Sequence, residues 1–294
     1  MNKTIKTTIF SQLESVRLHR GTWEARVVPA YGMNMLSLLW HSQPVLRTPG
    51  TLEEYLRLPE GYGTPPLLPA NRTRDGKFSY RGKDYQLPIN DTKYHTHKHG
   101  FLHTAAFEIT DVGEDHITGR CVNHGQLYPF PFTIDIACRL QDDGCYQTFR
   151  ITNTGTETMP FLFALHTAFA APETSSIPVH EIWLADERCI PTGERAPLPD
   201  DLRPYAEGKK PTGEAIGYCC PSVGCEARIG NYLYRVSQQF TQWIIWNGSG
   251  HDGFLCVEPQ TAPSNALQRE GQPLELPPSQ TIQFETSIIR ADDR

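Results

Sequence analysis

A single carboxylate ends an apolar segment in the C-terminal part of the sequence, FLCVEPQTAPSNAL at residues 254–267. Four apolar residues lead directly into Glu258, and the loop that follows carries prolines at positions 259 and 263. A surface glutamate at the end of a strand is the simplest interpretation. A general base, however, also needs a carboxylate held on a stiff frame within hydrogen-bonding distance of its proton. Glu258 is therefore the first candidate for chemistry.

A histidine takes a similar place in the segment PFLFALHTAFA, residues 160–170. His166 ends an apolar run, and a histidine in such a setting is most often a core residue with its hydrogen bonds satisfied. Placed with Glu258 at the mouth of a β core, it would instead form a general acid and base pair. Burial and neighbouring charges can tune the pKa of both groups towards the working pH.

Three more histidines alternate in YHTHKHGFLH, residues 94–103. If the segment is extended, His95, His97 and His99 share one face, because side chains alternate along a strand. Zinc binds imidazoles, but no cysteine or carboxylate nearby completes a ligand set, so we predict no metal site. Gly100 allows the backbone to approach a ligand closely, which favours His99 as the functional histidine.

A fourth candidate lies in PPLLPANRTRDGKFSYRGKDYQLPIND, residues 65–91. The guanidinium of Arg72 is a fork-shaped donor that can hold hydroxyl or anionic oxygens, and an ordinary surface cation is the alternative interpretation. A hairpin with Arg81 and Gly82 at its tip is predicted to follow. The segment therefore supplies a candidate contact for a polar ligand.

The elements that must position these residues are predicted to be strands. Apolar and polar residues alternate between 23 glycines and 24 prolines, which divide the chain into short pieces. Predicted strands and hairpins lie at residues 107–122 around Gly113, at 132–140 and 145–155 around Asp142-Asp143-Gly144, at 242–247 and 254–259, and at 281–290. One short helix is predicted at 51–58, where Thr51 and Glu54 have the spacing of a capping box. The proline-rich residues 191–205 are predicted to form a long surface loop.

These patterns predict one domain over residues 1–294. No linker or low-complexity segment divides the chain, and sustained helical periodicity is absent. A hydrophobic content of 38% is sufficient for a core at this length. The predicted fold class is all-β, a large antiparallel β-sandwich of two extensive sheets packed face to face.

Charge and composition exclude several classes of partner. The net charge is −6, so the chain lacks the basic excess that binding to nucleic-acid phosphates requires. No run of about 18 apolar residues could span a membrane, and the N-terminal residues lack the apolar stretch of a secretory signal. The sequence therefore predicts a cytoplasmic protein, in which the eight scattered cysteines are expected to be reduced thiols.

Taken in order, these segments resemble motifs of the aldose 1-epimerase (galactose mutarotase) family. PLLPANR and GKFSYRGKDYQLPIN are similar to the Asn-Arg motif and the hairpin after it, and HKHGF to the His-Gly motif. ALHTAF is similar to the segment with the acid histidine, and IPTGE to the Pro-Thr-Gly loop. FLCVEPQTAPSNA resembles the glutamate motif of the less-studied bacterial branches. The resemblance extends over roughly residues 60–270 and is carried by the order of the motifs.

The resemblance implies a β-supersandwich fold and cofactor-free interconversion of the α and β anomers of a hexose. It implies that Glu258 is the base and His166 the acid, and that Asn71, Arg72 and His99 hold the sugar. The base removes the proton of the anomeric hydroxyl while the acid protonates the ring oxygen, so the expected working form has Glu258 ionised and His166 protonated. The implied partner is a small sugar, and a monomer or homodimer is expected.

Some features differ from the family's galactose enzymes and keep the substrate open. The His-Gly motif lacks the second glycine and the downstream tryptophan, and no counterpart of the sugar-binding aspartate can be placed. One alternative is a mutarotase for an anionic hexose, such as a sugar 6-phosphate or a sulfonated sugar. A non-catalytic carbohydrate-binding protein is the other. The candidate cations for an anion are Arg57, Arg72, Arg74 and Lys98, and the candidate aromatic platforms are Trp40, Trp243 and Trp246.

Overall fold

The structure is a computed structural model that describes residues 6–10, 12–269 and 271–291, and most of its regular structure is β-strand. The first strands are β1 (Lys6–Ile9), β2 (Leu13–Arg20), β3 (Trp23–Val28), β4 (Asn34–Trp40), β5 (Gln43–Pro44), β6 (Pro66–Leu67), β7 (Arg72–Arg74), β8 (Lys77–Tyr80) and β9 (Lys83–Gln86). Then follow β10 (Thr96–Lys98), β11 (Glu108–Val112), β12 (His116–Asn123), β13 (Phe132–Leu140), β14 (Gly144–Asn153), β15 (Met159–Phe161), β16 (Ala164–Leu165), β17 (Ala168–Ala170) and β18 (Ser175–Ser176). The last are β19 (Glu181–Ala185), β20 (Pro191–Pro197), β21 (Gly217–Pro221), β22 (Glu226–Ile229), β23 (Tyr232–Val236), β24 (Gln242–Trp246), β25 (Phe254–Gln260), β26 (Leu274–Leu276) and β27 (Thr281–Arg290). The helices are α1 (Leu52–Arg57), α2 (Arg203–Glu207) and the 3₁₀ helices Pro59–Gly61, Leu102–Thr104 and Ala266–Gln268.

The strands of the described residues form three larger sheets and four two-stranded ones. The first sheet has the order β1-β2-β3-β4-β5, and the second, of eight strands, has the order β11-β12-β13-β14-β27-β23-β22-β18. The six-stranded sheet has the order β21-β24-β25-β16-β6, with β17 also paired to β25. The paired strands of these sheets run antiparallel.

The hairpin of β13 and β14 illustrates how the sequence pattern produces this fold. Phe132, Ile134, Ile136 and Cys138 alternate with more exposed residues along β13, and all four are buried. The predicted hairpins β11–β12, β8–β9 and β24–β25 form in the same way. The predicted large antiparallel all-β fold is confirmed, although its strands are distributed over three larger sheets where two were expected.

The six-stranded sheet has two faces of different character. On one face, the ring of Phe169 lies 5.4 Å from that of Tyr234 in the eight-stranded sheet, and Trp243 lies 5.9 Å from the same tyrosine. Leu255 and Val257 are buried on this face as well. Burial of each such side chain stabilises the fold by about 1.5–3 kcal/mol. Because this face is anchored in the core, the opposite face is held in place and can line a cleft.

Two local predictions have different outcomes. The predicted helix is present as α1, where the hydroxyl of Thr51 accepts a hydrogen bond from the backbone N–H of Glu54 at 3.1 Å. The prediction of a surface loop at 191–205 was wrong, because residues 191–197 form β20, which pairs with β19, and α2 follows. Proline is tolerated at the ends of such an edge strand, and Pro191 and Pro197 are the first and last residues of β20.

The eight cysteines are all free thiols, as predicted, and five of them are buried: Cys121, Cys138, Cys145, Cys220 and Cys256. In the described part of the chain, no helix combines the length and the apolar character that crossing a membrane requires.

Candidate active site

His166, in the two-residue gap between β16 and β17, faces Glu258 of β25 in the six-stranded sheet. The register on either side of them is given by two partner pairs, Ala164 with Gln260 and Ala168 with Cys256. This register places His166 directly opposite Glu258, and residues in such positions point to the same face with their Cβ atoms about 4.5–5.5 Å apart. Nε2 of His166 lies 3.2 Å from Oε1 of Glu258. The strand pairing thus brings the two predicted residues into contact.

The same face of the sheet continues as the floor of a cleft. Ile244 lies opposite Glu258 on β24, and Cys219 lies opposite Ile244 on β21. Trp246 is the next residue of this face of β24, and its ring is edge-on to His166 with 5.8 Å between the centroids. These side chains line a cleft of about 360 Å³. Most of the floor is therefore apolar, and the His166–Glu258 pair is its polar centre.

Burial controls the protonation of this pair. His166 is 4% exposed and Glu258 is 2% exposed. Removal from water, the largest cause in each case, lowers the pKa of His166 to about 3 and raises the pKa of Glu258 to about 8. Burial thus favours a neutral imidazole beside a neutral carboxyl, whereas the form expected from the sequence is an imidazolium beside a carboxylate. The two forms contain the same number of protons and differ only in which atom, Nε2 or Oε1, holds the one between them.

A wall of the cleft is built from residues with unusual backbone conformations. Asn71 and His99 both have positive φ angles, 52° and 63°, and the N–H of His99 donates to the carbonyl of Asn71 at 2.8 Å. Gly100 is also left-handed, and a Cβ there would lie 1.9 Å from the carbonyl oxygen of Leu68. Glycine is thus required at position 100 for close approach to another backbone segment, not to a ligand.

The three alternating histidines do not share a face, so that prediction was wrong. Strand β10 includes only Thr96–Lys98, and left-handed backbone at His95 and His99 breaks the alternation at both ends. His95 is exposed and contacts Asp75 at 2.9 Å, while Nδ1 of the buried His97 lies 2.8 Å from the carbonyl of Pro88. Only His99 reaches the cleft, where its ring lies 5.2 Å from that of His166.

The predicted arginine lies in the cleft, and a carboxylate accompanies it. Nε of Arg72 is 3.5 Å from Oδ2 of Asp91, and its guanidinium lies over the ring of Tyr94, 5.1 Å from the centroid. The Oδ1 atom of Asn71 accepts a hydrogen bond from Arg72 at 3.2 Å. Asn71, Arg72, His99, His166 and Glu258 all line this one cleft. The structure therefore brings together the five residues to which the resemblance assigns catalysis and sugar binding.

Lys98 is a second cation in the cleft, and like Arg72 it lies beside a carboxylate. Nζ of Lys98 lies 3.6 Å from Oε1 of Glu60, an acid that sequence reasoning missed. Glu60 lies in a 3₁₀ helix after α1, and nothing in the local pattern LPEGYG marks it as part of a site. Of the other candidate cations, Arg74 pairs with Asp186, and neither Arg74 nor Arg57 is among the described residues that line the cleft.

The three candidate tryptophans occupy different environments. Trp246 lines the cleft, whereas Trp243 is 1% exposed and part of the core. Trp40 lies in the first sheet, with the guanidinium of Arg290 4.2 Å from its ring centroid. One aromatic platform of the three therefore borders the cleft, and Tyr94 and Tyr218, which were not singled out in the sequence, also line it.

The sequence is also similar to those of known proteins. The family model for aldose 1-epimerase matches residues 14–288. Protein LacX of Lactococcus lactis subsp. lactis is 27% identical over 211 residues, which are 63% of this chain and 69% of LacX. The uncharacterized protein YihR of Escherichia coli K12 is 25% identical over 220 residues, 68% of this chain and 70% of YihR.

Solved structures show the same fold. A galactose mutarotase-like protein from Clostridium acetobutylicum superposes with a TM-score of 0.88 at 23% identity and covers 98% of both chains. Galactose 1-epimerase from Lactobacillus acidophilus NCFM superposes with a TM-score of 0.76 at 14% identity, covering 98% of this chain and 97% of that one. The predicted mutarotase-like sandwich is thereby confirmed.

Proposed function

The chain belongs to the aldose 1-epimerase family of isomerases, and from this premise we propose that it interconverts the α and β anomers of a neutral hexose by proton transfer alone. The observation that carries the proposal is the contact of a histidine and a glutamate, 3.2 Å apart, on the floor of a cleft of about 360 Å³. Such a cleft is large enough for one sugar ring, and pockets of this size are typical of small-molecule sites.

In the proposed reaction, Glu258 and His166 act on two oxygens of the same carbon. The carboxylate of Glu258 takes the proton of the anomeric hydroxyl while the imidazolium of His166 protonates the ring oxygen. The bond between the anomeric carbon and the ring oxygen then breaks, and the open-chain aldehyde rotates. The ring closes on the other face of the carbonyl, His166 takes its proton back, and Glu258 returns its proton to the new hydroxyl. Each such general catalyst typically contributes about 10²–10⁴-fold.

The spacing of the two groups supports this reaction. The anomeric hydroxyl oxygen and the ring oxygen are bonded to one carbon, so a base at one and an acid at the other must lie close together. His166 and Glu258 satisfy this requirement because the pairing of β16 and β17 with β25 on either side of His166 sets the two residues opposite each other. Backbone hydrogen bonds, not flexible loops, thus set the distance between the proposed acid and base.

The cations of the wall support the ionised form of the proposed base. Lys98 and Arg72 each act to lower the pKa of Glu258, against the larger effect of burial. They oppose the neutral carboxyl that burial favours, and so they stabilise a carboxylate that can accept the proton of the sugar. Lys98 also lowers the pKa of His166, which makes the imidazolium a stronger acid towards the ring oxygen.

The pairing of the cations favours a neutral sugar over an anionic one. Lys98 is paired with Glu60, and Arg72 lies beside Asp91. A phosphate or sulfonate would have to compete with these carboxylates, and binding it would leave them without their partners. A neutral sugar instead finds both donors and acceptors for its hydroxyls, and the ring of Trp246 offers an apolar surface to a pyranose face.

The test is anomer exchange measured by NMR on a panel of neutral aldohexoses and their 6-phosphates. We expect catalysed exchange of at least one neutral hexose, with the corresponding phosphate turned over more slowly. Faster exchange of the phosphates would replace the proposal with the anionic-sugar alternative. Saturable sugar binding without any catalysed exchange would identify a non-catalytic carbohydrate-binding protein.

A further inference from the structure

We propose that His166, Cys256 and Glu258 form a binding site for a zinc ion, and that zinc bound there inhibits the protein. One imidazole nitrogen, one thiol sulfur and one carboxylate oxygen lie within 4.8 Å of one another, and all three residues are buried. These are the three ligand types that protein zinc sites use. The binding site stands on this geometry, whereas the inhibition also rests on the proposed function.

The strand geometry explains why the three ligands converge. Cys256 and Glu258 are two residues apart on β25, so they point to the same face of the sheet. His166 lies opposite Glu258 on the neighbouring chain segment and supplies the third ligand. All three belong to one hydrogen-bonded pair of segments, so little ordering of the backbone is needed when an ion binds.

The distances suit zinc after a small adjustment. Zinc bonds of about 2.0–2.3 Å in a tetrahedral site place neighbouring ligand atoms roughly 3.3–3.8 Å apart. The nitrogen of His166 and the oxygen of Glu258 are already 3.2 Å apart. The sulfur must approach them by at most about an ångström, which side-chain rotation can supply. Three protein ligands leave a fourth position for water, the arrangement of exchangeable zinc sites.

The surroundings of Cys256 keep its thiol protonated when no ion is bound. Its neighbours Ala168, Phe254 and Trp246 form a small apolar cluster with it. Burial holds the pKa of Cys256 well above the usual value for a thiol. An arriving zinc ion displaces the thiol proton and the proton shared by His166 and Glu258, so two protons are released for each ion bound. Zinc affinity must therefore rise with pH.

Zinc at this position would compete with the proposed chemistry. The ion takes the lone pairs of both His166 and Glu258, so neither can transfer a proton to or from a sugar. His166 and Glu258 line the cleft, and a sugar seated over them covers the entry of the ion. Zinc and sugar are thus expected to exclude each other. The sequence-based expectation that no metal is needed for activity is compatible with this proposal, since the ion acts as an inhibitor.

The experiment compares the wild-type protein with Cys256→Ala and with Cys219→Ala as the matched control. Cys219 is a thiol on β21 of the same sheet that lines the cleft but lies outside the three-residue group. Anomer exchange is followed in zinc-buffered solution, and a chelator is then added. We expect zinc to inhibit the wild type and Cys219→Ala reversibly. Cys256→Ala should retain its basal exchange and need at least about 10-fold more zinc, because even the loss of an outer-shell partner costs 10–100-fold in affinity.

Binding is measured separately with cadmium, whose thiolate complexes absorb in the ultraviolet. A charge-transfer band in the wild type and in Cys219→Ala, lost in Cys256→Ala and weakened in Glu258→Gln, supports the site even if no sugar is turned over. The same band and the same zinc sensitivity in Cys256→Ala would overturn the proposal. Should Cys256→Ala fail to fold, Cys256→Ser replaces it, because a hydroxyl of similar size is a far poorer zinc ligand than a thiolate.

Discussion

The floor and the wall of the cleft are built in different ways. On the floor, His166 and Glu258 lie in paired strand segments and are no more than 4% exposed. The wall residues Asn71 and His99 have left-handed backbone, and the side chain of Lys98 is 30% exposed. Pairing within a six-stranded sheet fixes the floor, whereas the two short paired strands β7 and β10, side-chain ion pairs and left-handed backbone shape the wall.

This difference suggests a division of labour. Proton transfer needs two groups at a fixed separation, and strand pairing supplies that separation. Recognition of one sugar among many needs variable contacts, and loops and short strands can change without disturbing the core. We therefore expect substitutions on the floor to affect kcat and substitutions on the wall to affect KM.

The largest effect is expected for Glu258→Gln. Glutamine keeps the size and the hydrogen-bonding capacity of the side chain but cannot accept the proton, so kcat for anomer exchange should fall by at least about 10²-fold. His166→Asn should cause a similar loss, and the double variant should lose less than the product of the two because the groups act together. If folded Glu258→Gln keeps an exchange rate close to that of the wild type, the floor does not carry the chemistry.

A smaller effect, on KM, is expected for Arg72→Ala. A hydrogen bond to a charged group contributes about 1.5–3 kcal/mol, so KM for the best neutral sugar should rise on the order of 10–100-fold with a lesser change in kcat. Arg74→Ala is the matched control, since Arg74 pairs with Asp186 away from the cleft lining. Equal KM values for Arg72→Ala and the wild type would remove Arg72 from the site.

The pH dependence of stability should show that Glu258 is buried. Its pKa is raised from 4.5 to about 8 in the folded protein, so its contribution to stability is present below pH 4.5 and lost as the pH rises through 8. His166, with its pKa lowered to about 3, contributes in the opposite sense, between about pH 6.5 and 3. The Tm of Glu258→Gln minus that of the wild type should therefore increase by a few degrees as the pH rises from 5 to 8. A difference in Tm that does not change with pH would contradict burial of an ionisable group at position 258.

The smallest effect is expected for His95→Ala, although His95 belongs to the same sequence pattern as His99. Its side chain is 64% exposed, and its contact with Asp75 is a surface pair of little energetic value. Neither kcat nor Tm should change measurably. His97→Ala is the useful comparison. Loss of this buried ring, which is hydrogen-bonded to the backbone carbonyl of Pro88, should lower Tm but leave kcat unchanged. A large loss of activity in His95→Ala would mean that the wall extends further than the cleft lining indicates.

The sequence predicted the floor better than the wall, and the reason is physical. A short apolar run bounded by turn residues indicates a buried strand, so β24 and β25 could be inferred, although β25 continues beyond Glu258 to Gln260 where the sequence suggested that the strand ends. The pattern does not report register, and the opposition of His166 to Glu258 appears only in the pairing of the strands. The contact between the two side chains is observed, and their roles as base and acid are proposed.

The backbone conformation and the ion pairs of the wall could not be predicted from sequence patterns. A positive φ at a non-glycine residue is uncommon, and two of them, at His95 and His99, were enough to break an alternation that the letters display clearly. The ion pair of Lys98 with Glu60 joins the end of β10 to a 3₁₀ helix 38 positions earlier, and no periodicity in the sequence connects the two. The sequence did not predict β20 for a related reason. Pairing with β19 makes these residues a strand, although their composition is rich in proline.

The register that sets His166 opposite Glu258 also determines how the cleft responds to heat. The two side chains can separate only if the chain segments that carry them part from each other, which breaks backbone hydrogen bonds in the interior of a six-stranded sheet. Openings of this kind require free energies that approach that of global unfolding, whereas exposed loops open at far lower cost. The wall is held by a sheet of only two short strands, β7 and β10, so we expect it to open at a lower temperature than the six-stranded sheet, and sugar affinity to decline while the proton-transfer pair is still intact. The loss of turnover then coincides with the melting of the sheet itself.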